Sequence, residues 1–214
     1  MTFWNPVGSS VQSQYSNPTV SPTTIGNILV VVVSQVWGAY SADITLSGGG
    51  VSVWQGSVDF ARETTAGGGS GCYIAWGVIT TTGSQTLTCV MSGSPNAGVI
   101  VQEFSPPTGT IVEDINQAGA TGPGVASGNY PSITPTAGSN NLYIAAGWLP
   151  NFPGGSSAGF TYVIQNYYTE MVYQCNVSGA CSPAYTCGGT GNFATYALFL
   201  TVTAPATMKI VMLL

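Results

Sequence analysis

Side chains able to do chemistry are scarce in this chain, and one type is missing altogether: the 214 residues contain no histidine. Acyl-transfer triads need a base to activate serine or cysteine, and a Ser-Lys variant would rest on Lys209 alone, near the end of the sequence. Glycoside hydrolysis needs only two carboxylates, and Asp59, Glu63, Glu103, Glu113 and Asp114 are the candidates. Adjacent Glu113 and Asp114 point to opposite faces of an extended chain and Glu103 ends a strand, so no pair converges. The acids also lack the Asp-x-Asp-x-Asp spacing of a calcium loop and read as solvated loop charges. Residues 48–50 and 67–69 are glycine runs, but neither precedes a helix or a Lys-Ser/Thr pair, so they read as tight turns and not phosphate cradles. No enzyme, metal site or cofactor is expected.

Cys175, Cys181 and Cys187 fall at spacings of six in a Gly/Ser/Pro-rich stretch. Without histidine or a close Cys-x-x-Cys pair they do not make a metal site; they read as a disulfide-stapled loop or as plain thiols, one of the five cysteines being left over in any case. Sugar binding is the remaining possibility, because sugars stack on exposed aromatics while amides fix their hydroxyls. The run Trp148-Leu149-Pro150-Asn151-Phe152-Pro153 reads as a loop, which makes Trp148, Asn151 and Phe152 the candidate glycan contacts, whereas Trp54 sits in an alternating strand and reads as core. Asn176-Val177-Ser178 is a formal glycosylation sequon.

Composition narrows the setting. Charged residues are 4% of the chain, against roughly 25% in ordinary soluble proteins, and the net charge is −5. With no cluster of Lys and Arg, nucleic acid and anionic membrane surfaces are excluded as partners. The hydrophobic share of 44%, with five Trp, is far above that of a disordered segment, so the chain folds. Neither a signal peptide nor a transmembrane segment is expected, since the longest apolar run, Ile28 to Val33, is six residues. A neutral surface rich in Thr, Ser and Gly suits a protein outside cells, exported by a leader since removed or released by lysis, as a virion component is.

The elements that must position these residues are strands. Pro18-Thr19-Val20-Ser21-Pro22-Thr23 leads through Gly26 and Asn27 into Leu29-Val30-Val31, and Pro131-Ser132-Ile133-Thr134-Pro135-Thr136 leads through Gly138 and Asn141 into Leu142-Tyr143-Ile144, 113 residues later. The repeat predicts one all-β domain, a single antiparallel β-sandwich with internal duplication over residues 25–203, its halves spanning about 17–109 and 131–203. Ile28 to Ser34 reads as a strand covered on both faces, and Phe193 to Thr203 as one alternating strand. Residues 43–55 read as a hairpin around the glycine turn. Residues 73–91 read as a second, with Ile74, Trp76 and Val78 opposite Met91, Cys89 and Leu87. Residues 1–24, with Trp4 and Tyr15, read as an extended arm that packs on its own domain or docks on a neighbour. Residues 204–214, with Ile210, Val211, Leu213 and Leu214, read as a final strand or as a plug for a partner's groove.

Several short motifs resemble a group of phage-encoded and bacterial surface β-sandwich proteins with jelly-roll-like or immunoglobulin-like topology. They are Gly26 to Val33, Gly50 to Trp54, Tyr73-Ile74-Ala75-Trp76, Thr86-Leu87-Thr88-Cys89, Val99 to Phe104, and Gly138 to Ile144 with Gly159-Phe160-Thr161. The resemblance covers about residues 17–203, brings no catalytic residues, and implies a capsid decoration or minor tail protein of a bacteriophage virion. The cysteine loop departs from its pattern. The expected partners are other virion proteins and further copies of the chain, in a homo-oligomer such as a trimer, with the arm and tail as contacts. The competing expectation is an extracellular adhesin or carbohydrate-binding module that touches a host surface glycan through Trp148.

Overall fold

The structure is a computed structural model. It describes residues 3–14, 17–37, 44–56, 61–65, 68–91, 96–122, 126–136, 138, 140–151, 153–165, 168–189 and 191–203, with the backbone alone for 36–37, 61–65, 68, 91 and 96–97. Tyr15, Phe152, Ile210, Val211, Leu213 and Leu214 lie outside the described residues. Among the described residues every regular element is a strand, all pairing is antiparallel, and no sheet closes into a barrel.

Sheet I contains, from one edge to the other, β1 (Asn5–Gln14), β9 (Asn96–Ser105), β3 (Ile28–Trp37), β7 (Gly68–Val78) and β5 (Gln55–Gly56), with β6 (Ala61–Thr65) also paired to β7. Sheet II contains β10 (Thr110–Glu113), β17 (Phe193–Thr203), β13 (Asn141–Trp148), β15 (Thr169–Val177) and β14 (Thr161–Gln165), with β11 (Ala118–Gly122) also paired to β17. Numbered along the chain, the five strands on each path run in the same spatial order, 1-5-2-4-3. Two smaller sheets complete the set: β2 (Thr19–Val20), β8 (Gln85–Met91) and β4 (Ile44–Gly48), and the pair β12 (Ser127–Asn129) and β16 (Ala184–Thr186).

β3 shows why the sheets stack. Its unbroken run of β-branched residues sends Ile28, Val30 and Val32 into a cluster shared with Leu142, Ile144, Leu198 and Leu200 of sheet II, and Leu29, Val31 and Val33 into a second cluster with Val20 and Leu87 of the small sheet. Both faces are buried, as the sequence predicts. Sheet II repeats the arrangement: Tyr143, Ala145 and Phe199 on its other face pack with Tyr130, Ile133 and Tyr185 under the β12–β16 pair. Two main sheets sharing one core are consistent with a β-sandwich.

Local pairing departs from expectation. β4 pairs with β8, opposite Leu46↔Cys89, while β5 pairs with β7, so residues 43–55 do not form a hairpin. β7 pairs with β3, β5 and β6, and β8 with β2 and β4, so the second expected hairpin is absent as well; Trp76 faces Val30 and Gln55 across its ladders, not Cys89. The turn between these strands redirects the chain from a main sheet to a small one. Within the segment read as an extended arm, Asn5–Gln14 packs on its own domain as a strand: β1 pairs with β9 from Asn5↔Ser105 to Gln14↔Gly98, with a bulge between Val7 and Val11 where Gly8 has a φ of 64°.

Candidate functional site

The carboxylates are the natural place to look for chemistry, and each described one accepts from a structural donor. Glu103, on β9 and 7% exposed, takes Thr23 N at 2.9 Å, Thr23 Oγ1 at 3.0 Å and Asn27 Nδ2 at 2.6 Å. Asp114, just after β10, takes Thr136 N at 2.7 Å, Thr136 Oγ1 at 2.6 Å and Asn116 N at 2.9 Å. Thr23 and Thr136 occupy the same place in the repeated Pro-Thr phrase, so after each phrase an acid clasps the turn that feeds the following strand. Glu103 lies on β9 whereas Asp114 follows β10, which hides the correspondence in the sequence; Asp114 N bonds to Phe199 O on β17, and Phe199 stands in sheet II where Glu103 stands in sheet I, one residue before the partner of the central strand's first leucine or isoleucine. Charge-assisted bonds of this kind contribute more than neutral ones. Glu103→Ala and Asp114→Ala are each expected to lower stability by about 2 kcal/mol, read from urea unfolding midpoints, because each leaves a turn amide and hydroxyl without an acceptor. Unchanged midpoints would show the clasps to be incidental.

Glu113 accepts from Trp76 Nε1 at 2.8 Å. This bond ties β10 of sheet II to β7 of sheet I at the rim of an open groove of about 510 Å³. The groove is walled by Val53 and Val78, 60% and 41% exposed, and by Ile111 and Val112 of β10.

Glu170 is a buried acid with a raised pKa. Fully buried on β15, it accepts from Tyr130 Oη at 2.8 Å through Oε2, while Oε1 has no hydrogen-bond partner. Burial pushes its carboxyl up to about 7, partly offset by the tyrosine bond. A Cβ on Gly147, its cross-strand neighbour, would lie 2.6 Å from Tyr130 Oη, so the glycine admits the phenol. The contact is sealed from solvent and gives a substrate no access.

The cysteines do not assemble. None of the five is in a disulfide. Cys175 packs against the core shared by the two main sheets, whereas Cys181 and Cys187 pack on the opposite face of sheet II. Burial pushes Cys175 and Cys181 up to about 11 and raises Cys187, so all three stay protonated at neutral pH and are poor nucleophiles and ligands. Among the described residues, no three Cys, Asp or Glu side chains are grouped to hold a metal ion.

Trp148 and Trp4 are both buried. Trp148 is the last residue of β13, 6% exposed, with Tyr168 stacked on its ring at 4.5 Å and 15°. A sugar has no open face of Trp148 to stack on. Asn151 is exposed at φ 52°, and its carbonyl accepts from Gly188 N. Trp4, expected as an assembly contact, is fully buried in the core between the main sheets. Asn176 of the sequon holds Trp4 on both sides, Oδ1 accepting from Trp4 N at 2.8 Å and Nδ2 donating to Trp4 O at 3.1 Å, so its amide already has a structural use. No helix among the described residues is long and apolar enough to cross a membrane. Compared with protein-family models, curated proteins and solved structures, the chain matches none.

Proposed function

We propose that this chain is a non-enzymatic structural protein on the exterior of a bacteriophage particle, a capsid decoration or minor tail protein, built as an internally duplicated β-sandwich. The common strand order of the two main sheets, and the clasped Thr23 and Thr136 turns, support the duplication. The observation that carries the structural reading is how the described acids are used: Glu103, Glu113, Asp114 and Glu170 each receive a hydrogen bond that joins one element to another, and that is what a scaffold requires. The adhesin reading asks for an open aromatic platform, and the burial of Trp148 weighs against it.

Such a protein acts by self-association and by docking to other virion proteins, using open sheet edges and the segment that holds Ile210, Val211, Leu213 and Leu214. Electron cryo-microscopy of particles from the cells that encode the chain tests this. Regular density of this fold on a capsid or tail is the expected result, and finding the chain only as free monomer would retire the virion assignment.

A further inference from the structure

The described chain leaves sheet II at Thr203, paired with Thr110, the first residue of β10. Eleven residues follow, and the last seven, Met208-Lys209-Ile210-Val211-Met212-Leu213-Leu214, are apolar except for Lys209. The side of β10 away from β17 has no strand partner among the described residues. It borders the groove, which half-buried Ile111, packed against the core, and half-buried Val112 line alongside exposed Val53 and Val78. Among the described residues Glu113 is the one charged side chain lining it, and Lys209 is one of two basic residues in the whole sequence. A β-prone seven-residue segment with a single cation thus faces a groove with a single anion and an apolar wall of Val53, Val78, Ile111 and Val112, beside a β10 edge without a strand partner among the described residues.

We infer that this groove receives residues 208–214 of a second copy of the chain, added as a strand along β10. The geometry favours a neighbour over the chain's own tail. To reach the far side of β10 from Thr203, a chain's own tail would have to pass the end of β10 where residues 106–109 enter; a Cβ on Gly109 would already lie 2.4 Å from Thr203 O and Val202 Cγ1. Connections at one end of a sheet do not cross in this way. Returning directly, such a tail would also run parallel to β10, whereas a neighbour's tail is free to pair antiparallel, the more stable arrangement. Each copy offers one tail and one groove, so the exchange closes as a reciprocal dimer or a small ring. This inference rests on the self-association in the reading above and not on the virion.

The test is the oligomeric state of the purified full chain, measured by sedimentation velocity at micromolar concentration. We expect an oligomer for the full chain, and monomers both for a chain ending at Thr207 and for Val53→Asp, a substitution at an exposed position. Mixing the two monomeric variants should restore a complex, because one supplies an open groove and the other an intact tail. Lys209→Glu should weaken association on the order of fivefold, less at high salt. A monomeric full chain, an oligomer that survives the truncation, or a truncation that lowers the unfolding midpoint of a monomer would each overturn the proposal, the last by placing the tail on its own chain. An oligomer lost with the tail, in a protein absent from particles, would retire the virion reading and keep this one.

Discussion

Replacing Trp4 with alanine is expected to lower the unfolding free energy by about 3–5 kcal/mol, the range for emptying a large aromatic site in a packed core. Trp4 is fully buried in a cluster that includes Ile28, Phe104 and Tyr173, and Phe104 and Tyr173 meet edge to face at 5.0 Å. Three hydrogen bonds fix it: its backbone N and O to the Asn176 amide, and its indole N to Asn140 O at 2.8 Å. The residue therefore fastens the start of β1, a strand of sheet I, to the β15 end of sheet II. Asn176→Ala keeps the ring but removes two of the bonds, so about 1–2 kcal/mol is expected there. Chemical unfolding followed by tryptophan fluorescence measures both. A loss below 1 kcal/mol in Trp4→Ala would mean that the segment is not anchored this way. It follows that removing residues 1–16 would unfold part of sheet I, and is no clean test of an assembly arm.

The second large effect is pH dependence centred on Glu170. Its carboxyl titrates at about 7 in the folded chain, against an ordinary value of 4.5. A raised acid keeps its proton in the folded state after the unfolded chain has released it. Its favourable state is therefore fully present below about pH 4.5, is lost progressively as pH rises to about 7, and loses no more above that. The span corresponds to about 3 kcal/mol, since each unit is about 1.4 kcal/mol. The groups facing the carboxyl are Tyr130, raised well above its ordinary value by burial and by Glu170 itself, and the Cys187 thiol, also raised by burial; neither is charged over this window. Glu170→Gln retains an acceptor for Tyr130 Oη and cannot ionise. The difference in stability between wild type and Glu170→Gln, measured by urea unfolding from pH 4.5 to 8, should shift in favour of the variant as pH rises. Parallel curves for the two proteins would show that Glu170 does not titrate in this window.

Legibility varied with the kind of information each element needed. β3, β13 and β17 were readable because burial on both faces, or on one, writes itself as a continuous or alternating apolar pattern. The repeated Pro-Thr phrase is plain in the sequence, but the similar geometry of the two clasps is hidden because Glu103 lies 80 residues after Thr23, on β9, whereas Asp114 lies 22 residues before Thr136, just after β10. Trp148 holds the last rung of β13 with ladder partners Thr169 and Ala194, but its burial against Tyr168, which denies it to a sugar, leaves no trace in the Leu-Pro-Asn that follows it. The hairpins were misread for a more general reason: a period of two states which face of a strand is buried and is silent about which strand lies alongside.

From its residues alone this chain is all-β, nearly uncharged and without histidine, because period, composition and turn chemistry are local properties of a polymer. Partnership belongs to the tertiary structure. β7 and β8 go to separate sheets, Trp4 lies in the core and not on a neighbour, Cys175 is parted from Cys181 and Cys187 by sheet II, and Glu170 is sealed against Tyr130. Each of these depends on contacts between residues distant in sequence, set by the joint burial of both main sheets, and no local pattern encodes them.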